Sequence, residues 1–233
     1  MNIAVFGANG GTGRLLVAAA LEAGHHVTAL TRHPDEFPIR HDNLRVIAGD
    51  VLEPADVSSV VAGADAVLSA LGVPYGRKTI TLYSRSIVTI LDAMNKHSVR
   101  RLACISSSAT DHEFARKDTG GGFFFEKILK PVIENTMGKN LYDDMRRMEA
   151  VVRASDVDWT IVRPSGLFGT DAVTDYAVGE NFVPYRYTSR ADLADFMLRQ
   201  ATETEFVRKA AAVATLSPQP TVLELIRNEA LAK

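Results

Sequence analysis

Apolar residues fall in two rhythms along this chain. Short, nearly continuous runs occur at Ile3–Phe6, Val27–Leu30, Leu44–Ala48, Ala66–Ala70, Arg101–Ser106 and Trp159–Val162, with a late one at Ala211–Thr215. Strands buried on both faces of a parallel sheet read this way, because neither face meets water. Between the runs the spacing widens to the helical period. Ile80, Tyr83, Ile87, Leu91 and Met94 share one face, with Arg85, Asp92 and Lys96 opposite, and Leu141, Met145, Met148 and Val152 repeat the pattern. Leu15–Ala23, behind the first strand, also reads as a helix. Strict alternation of strand and helix, joined by right-handed crossovers, predicts an α/β architecture: a doubly wound parallel sheet in a single domain over residues 1–233.

Two stretches break the alternation. Asp111–Asn140 carries "TGGGFFFEK" (Thr119–Lys127) and is expected to hold at most a short helix around Lys127–Asn135. Pro164–Thr188 is rich in Gly, Pro and Tyr, and opens a small substrate-side region over 164–233. Both leave the carboxyl ends of strands, where open α/β sheets bind their ligands. Elaborated loops at that edge are therefore expected.

The chemistry of the first strand end is the most specific. "IAVFGANGGTGR" (Ile3–Arg14) sets Gly7, Gly10 and Gly13 between an apolar strand and a helix. Such a turn brings an uncapped helix N-terminus, with its free N–H groups and partial positive charge, up to an anion. A pyrophosphate suits it, with Asn9, Gly11 and Thr12 completing the contact set. The second strand ends in Thr31, Arg32 and His33, where an acid would hold the ribose 2′-hydroxyl of NAD. Arginine's planar fork instead matches the 2′-phosphate of NADP, so NADP(H) is expected in preference to NAD(H). A solvated arginine at a strand end is the plainer alternative. Asp50, followed by Val51, closes the third strand and can accept from an adenine amino group or cap the helix that starts near Pro54. Ala70, Leu71 and Gly72 end the fourth strand, where small residues let ribose and nicotinamide lie against the backbone.

Composition narrows the partners. The 233 residues are 46% hydrophobic and 23% charged, as in an ordinary globular protein, and the net charge of −2 gives no electrostatic case for nucleic acid or an anionic membrane. No apolar run approaches the ~20 residues that span a bilayer, and Met1 leads straight into a strand. A cytoplasmic protein with a small-molecule partner is expected. The single cysteine, Cys104, lies in an apolar run and reads as a core thiol. His25, His26, His33, His41, His97 and His112 are scattered, so no metal site is expected.

Taken in order, "FGANGGTGR", "GDV" at 49–51, "ISSSAT" at 105–110, "WTIVRPSGL" at 159–167 and "TSRADLADFML" at 188–198 resemble the atypical short-chain dehydrogenase/reductases. The likeness is to their NAD(P)H-binding branch, with its flavin/biliverdin-IXβ reductases, quinone reductases and nitrogen-metabolite-repression-type regulators. The resemblance implies a Rossmann fold and a nicotinamide cofactor. It also implies a substrate-holding role for Ser108, with Ser106 beside the cofactor. Arg163 and Pro164 then bound the pocket. In that family Tyr-x-x-x-Lys on one helix supplies the proton, the lysine lowering the tyrosine pKa. Here Tyr142 is followed four residues on by Arg146, a departure that removes the ammonium. Two readings stand side by side: Tyr142 and Arg146 as a catalytic pair, or a polar stripe with Arg146 and Glu149 as a surface ion pair.

The leading expectation is an NADPH-dependent reductase passing hydride to a flavin, quinone or related carbonyl. Phe123, Phe124, Phe125, Tyr185 and Tyr187 would offer apolar faces to such a ring. A non-catalytic NADP(H)-sensing regulator is the alternative from another class, and nucleotide-sugar epimerase or dehydratase chemistry a weaker one. "TSRADLADFML" itself reads as a helix start, with Ser189 as N-cap and Asp192 three residues later.

Overall fold

The computed structural model describes residues 1–73, 79–111, 138–217 and 220. The "TGGGFFFEK" motif, the short helix expected at 127–135 and the three phenylalanines at 123–125 lie outside the described residues. The six early apolar runs are strands β1 (Asn2–Phe6), β2 (His26–Thr31), β3 (Leu44–Ala48), β4 (Ala66–Ser69), β5 (Arg101–Ile105) and β6 (Asp158–Pro164). Three further strands follow that the hydrophobic pattern does not announce: β7 (Gly166–Phe168), β8 (Asp175–Glu180) and β9 (Tyr187–Ser189). The late run is β10 (Lys209–Ser217). Helices α1 (Gly11–Glu22), α2 (Pro54–Val61), α3 (Leu82–Lys96), α4 (Lys139–Ala154) and α5 (Arg190–Arg199) fill the intervals.

Eight strands form one sheet in the order β3-β2-β1-β4-β5-β6-β10-β8, while β7 and β9 make a separate parallel pair. Every pairing in the large sheet is parallel except β10 with the edge strand β8. Strand side chains alternate between two cores, as the period of two requires. Ile3, Val5, Ala29, Leu68, Ala103 and Val162 face α1 and α5, meeting Leu16, Val17, Leu193, Phe196 and Met197. Ala4, Phe6, Val67, Leu102, Cys104 and Ile161 face α2, α3 and α4, meeting Val57, Ile87, Ile90, Met94, Met145, Met148 and Val152. Each fully buried aliphatic or aromatic side chain contributes roughly 1.5–3 kcal/mol. Cys104 is one of these core groups, and burial pushes its thiol pKa far up, so it is a packing residue.

The sequence places α3 well but does not show what holds its start. Thr81, at the N-cap, makes no side-chain cap. Asp144 of α4, fully buried, does so from across the interface, accepting from the Tyr83 N–H at 2.9 Å and the Ser84 N–H at 3.4 Å. The start of α5 matches expectation, since Ser189 Oγ accepts from the Asp192 N–H at 3.0 Å. The Asp192 carboxylate turns instead to Thr174, accepting from its N–H at 2.6 Å and its hydroxyl at 2.9 Å.

Candidate functional site

Parallel pairing brings the carboxyl ends of β1 to β6 to one edge, and the strand order reverses between β1 and β4. Such a reversal opens a crevice, because the crossovers on its two sides run to opposite faces. Gly7 lies in it with φ +75°, and a Cβ there would stand 2.4 Å from the Ala70 carbonyl oxygen and 2.7 Å from the Leu71 nitrogen. Only glycine fits. Gly13 seats α1 on this turn, since a Cβ would stand 2.1 Å from the Gly7 oxygen. Gly10 is the N-cap of α1, with an ordinary φ of −76°. Its role is to leave space in front of the helix, where the nearest atom to a Cβ is the Gly7 oxygen at 3.3 Å.

Among the described residues no side chain caps α1, and no acidic residue stands in its first turn. Its opening N–H groups and their partial positive charge are thus left for a ligand. Asn9 accepts at Oδ1 from Arg14 Nε at 3.0 Å and Nη2 at 2.8 Å, which stiffens the turn. Thr12 is buried beneath it. These features fit a pyrophosphate.

Along the same edge, Arg32 follows β2 directly and is exposed, with no hydrogen bond or ion pair among the described residues. Asp50 shapes its own turn, its Oδ1 accepting from the Leu52 N–H at 2.9 Å and its N–H donating to Asp56 Oδ2 at 2.9 Å. It does not cap α2, whose N-cap is Glu53; that part of the expectation is corrected. Val51 is buried in the core below, Ala70 is buried against β1, and Leu71 and Gly72 continue from it at the rim.

The ends of β5 and β6 carry a buried polar cluster. Arg163 donates from Nε to Glu149 Oε1 at 3.0 Å and from Nη2 to Oε2 at 2.6 Å. Ser106 Oγ and Thr110 Oγ1 each donate to Glu149 Oε1 at 2.7 Å. Burial alone would raise the Glu149 pKa; the hydrogen bond and charge of Arg163, with the two hydroxyls, outweigh it and hold the carboxyl below its ordinary value. The Arg146–Glu149 surface pair is therefore not formed. Glu149 points inward, and Arg146 donates to the Ala109 carbonyl at 3.0 Å, the Thr110 carbonyl at 3.2 Å and Asp143 at 2.9 Å.

The three serines of "ISSSAT" separate cleanly. Ser106 is taken by Glu149, and Ser107 Oγ accepts from the Ala109 N–H at 3.2 Å as the cap of a short 3-10 turn. Ser108 Oγ has no partner among the described residues. Tyr142 is 7% exposed within the core on the α4 side, and the hydrogen bonds of Arg146 go to Ala109, Thr110 and Asp143. Tyr187, expected to face a substrate ring, is instead buried edge-on against Phe168. Tyr185 is half-buried.

The family model described as NAD(P)H-binding matches residues 7–204. The chain belongs to this NAD(P)H-binding family. Among curated relatives, UPF0659 protein C216.03 of Schizosaccharomyces pombe is 29% identical over 188 residues, covering 76% of this chain and 74% of that one. Oxidoreductase GME11367 of Pestalotiopsis microspora is 27% identical over 223 residues, covering 87% and 80%. A short-chain dehydrogenase/reductase of Veillonella parvula, solved in complex with NADP, superposes with TM-score 0.74 at 21% identity, over 93% of this chain and 95% of that one. The fold of this NAD(P)H-binding family member is thus shared with that dehydrogenase/reductase.

Sequence reasoning set the glycine turn, Arg32 and the serines at the strand ends where they lie, but missed the inward role of Glu149. A signal was present: Glu149 shares a helical face with Met145 and Val152, both buried. A carboxylate on a buried face needs a partner, and Arg163 was already in view at the end of β6.

Proposed function

We propose that this protein is a cytoplasmic NADPH-dependent reductase whose acceptor is a small planar molecule: a flavin, a quinone or a related carbonyl. The Gly7–Ala70 contact at the strand reversal, with an uncapped α1 beside it, carries the cofactor part of this reading. Gly7, Asn9, Gly10, Gly11, Thr12 and Gly13 would hold the pyrophosphate, and Asp50, Val51, Ala70, Leu71 and Gly72 would line the adenosine and ribose side. Arg32 would take the 2′-phosphate, a role favoured by its exposure and its lack of another partner among the described residues. Bound NADPH supplies the hydride.

The chain's own groups argue for the acceptor class. Arg146 braces the carbonyls of Ala109 and Thr110, so it does not serve Tyr142 as a lysine would. Ser108 remains as the hydroxyl able to hold an acceptor oxygen, on a turn fixed from below by Glu149 and Arg163. Ser106, inside that buried cluster, supports the turn. Flavins and quinones ask mainly for orientation, because water supplies the proton.

The test is NADPH oxidation followed by absorbance against a panel of flavins and quinones. Turnover of at least one acceptor, faster with NADPH than with NADH, is expected. Tight NADPH binding with no turnover on any acceptor would overturn the reductase reading and favour a sensor.

A further inference from the structure

Arg190 is the first residue of α5, and α5 lies beside α1 on one face of the sheet. Its side chain reaches the glycine turn: a Cβ built on Gly11 would stand 3.1 Å from both Cδ and Nε of Arg190. Arg190 is half-buried and has no hydrogen bond or ion pair among the described residues. The electrostatics of this placement are unfavourable as they stand. Helix N-termini carry partial positive charge and favour acids, yet a guanidinium lies here against two of them. The first turn of α1 holds no acid. That of α5 holds Asp192, whose carboxylate is occupied by Thr174 and the Thr215 hydroxyl. An anion between the helix start and the guanidinium turns this repulsion into attraction.

We propose that Arg190 is a cofactor-binding residue that donates to the pyrophosphate oxygens also held by the N–H groups of α1. The inference rests on the reading that this turn holds a dinucleotide. It assigns Gly11 a purpose as well. Gly11 is exposed, so its bareness serves no close packing of the core; it leaves the path along which the arginine stem crosses the turn. Arg190 and Arg32 then divide the cofactor's charge, one on the pyrophosphate and one on the 2′-phosphate.

Calorimetric titration of the full chain with NADPH, NADH and ADP-ribose separates these roles. Arg190→Ala is expected to weaken all three by a common factor of about ten- to a hundredfold, the scale of one or two charge-assisted hydrogen bonds. Arg190→Lys is expected to restore part of the loss. Gly11→Ala, which displaces the arm, is expected to weaken the same three ligands, and to do so less in the Arg190→Ala background. Unchanged affinities in Arg190→Ala would overturn the proposal. So would a loss confined to NADPH, which would move the residue to the 2′-phosphate. Should Arg190→Ala fail to fold, a Gly11→Ala protein with undiminished affinity would overturn it equally. An unmodified protein that binds none of the three ligands would refute the dinucleotide reading itself, whereas binding that ignores position 190 refutes only this assignment.

Discussion

Glu149 of α4 and Arg163 of β6 form a buried two-pronged ion pair, with Nε to Oε1 at 3.0 Å and Nη2 to Oε2 at 2.6 Å. The pair ties helix, strand and the Ser106–Thr110 turn into one unit, because Ser106 and Thr110 donate to the same carboxylate. Removing one partner strands the other's charge away from water. Arg163→Met is expected to cost about 3 kcal/mol of stability, near the lower end for a broken buried pair, since the hydroxyls and Arg153 at 3.6 Å remain. Urea unfolding at neutral pH measures it; a loss under 1 kcal/mol would contradict a stabilising pair.

The same carboxylate gives a pH dependence. Its folded pKa is lowered, so it holds a proton less tightly folded than unfolded, and its stabilising share is complete above the ordinary glutamate range. That share is lost as pH falls through the lowered folded value. The stability gap between the unmodified protein and Glu149→Gln should therefore be widest near neutral pH and shrink towards acid. Denaturant titrations of both proteins across that range check it, and a gap that widens towards acid would reverse the sign.

Arg32→Ala should weaken NADPH by about tenfold and leave NADH nearly unchanged. One charge-assisted contact at an exposed site lies at the lower end of the ~1.5–3 kcal/mol range. Titration of both cofactors decides it. Equal affinities for NADPH and NADH in the unmodified protein would remove Arg32 from the 2′-phosphate.

Gly10 and Gly13 should part company on substitution. Gly10→Val meets an ordinary extended backbone and one oxygen at 3.3 Å, so the protein should fold while its side chain fills the anion's space. Gly13→Ala drives a Cβ to 2.1 Å from the Gly7 oxygen, which is backbone and cannot step aside. Far-ultraviolet circular dichroism and cofactor titration together should show a folded, non-binding Gly10→Val and a destabilised Gly13→Ala.

Tyr142→Phe should lower kcat by less than about tenfold, or ~1.4 kcal/mol of barrier, on a flavin or quinone acceptor. Arg146 is held by the 3-10 turn and Asp143, so it does not serve Tyr142 as the lysine of Tyr-x-x-x-Lys would. A loss above a hundredfold with NADPH affinity intact would make Tyr142 the acid.

The parts legible in the sequence are those where one residue or one period carries the information. Continuous apolar runs gave the parallel strands, and three glycines behind the first of them gave the crevice turn. Strand β8 was hidden because it pairs on one edge only, with Tyr176 and Val178 towards α5 and Ala177 towards Val183. Six residues, four half-buried between two exposed ends and with Gly179 among them, look like loop. Glu149 was misdirected because Arg146 is its neighbour in the sequence, whereas Arg163 reaches it through the chain's return as β6. Arg190 is hidden for a comparable reason: a good N-cap at Ser189 accounts for the segment locally.

The cap that Asp144 places on α3 makes that helix's first turn a property of another helix, 61 residues away in sequence. Hydrogen exchange at the Tyr83 and Ser84 amides should therefore follow the opening of α4 rather than the fraying of α3. The two helices become a single cooperative unit, in which the ordinary looseness of a helix end is suppressed by a neighbour's carboxylate. Since α4 also carries Glu149, a disturbance in the serine turn has a route along one helix, hydrogen-bonded at both ends, to the start of α3, beneath the rim where β4 ends.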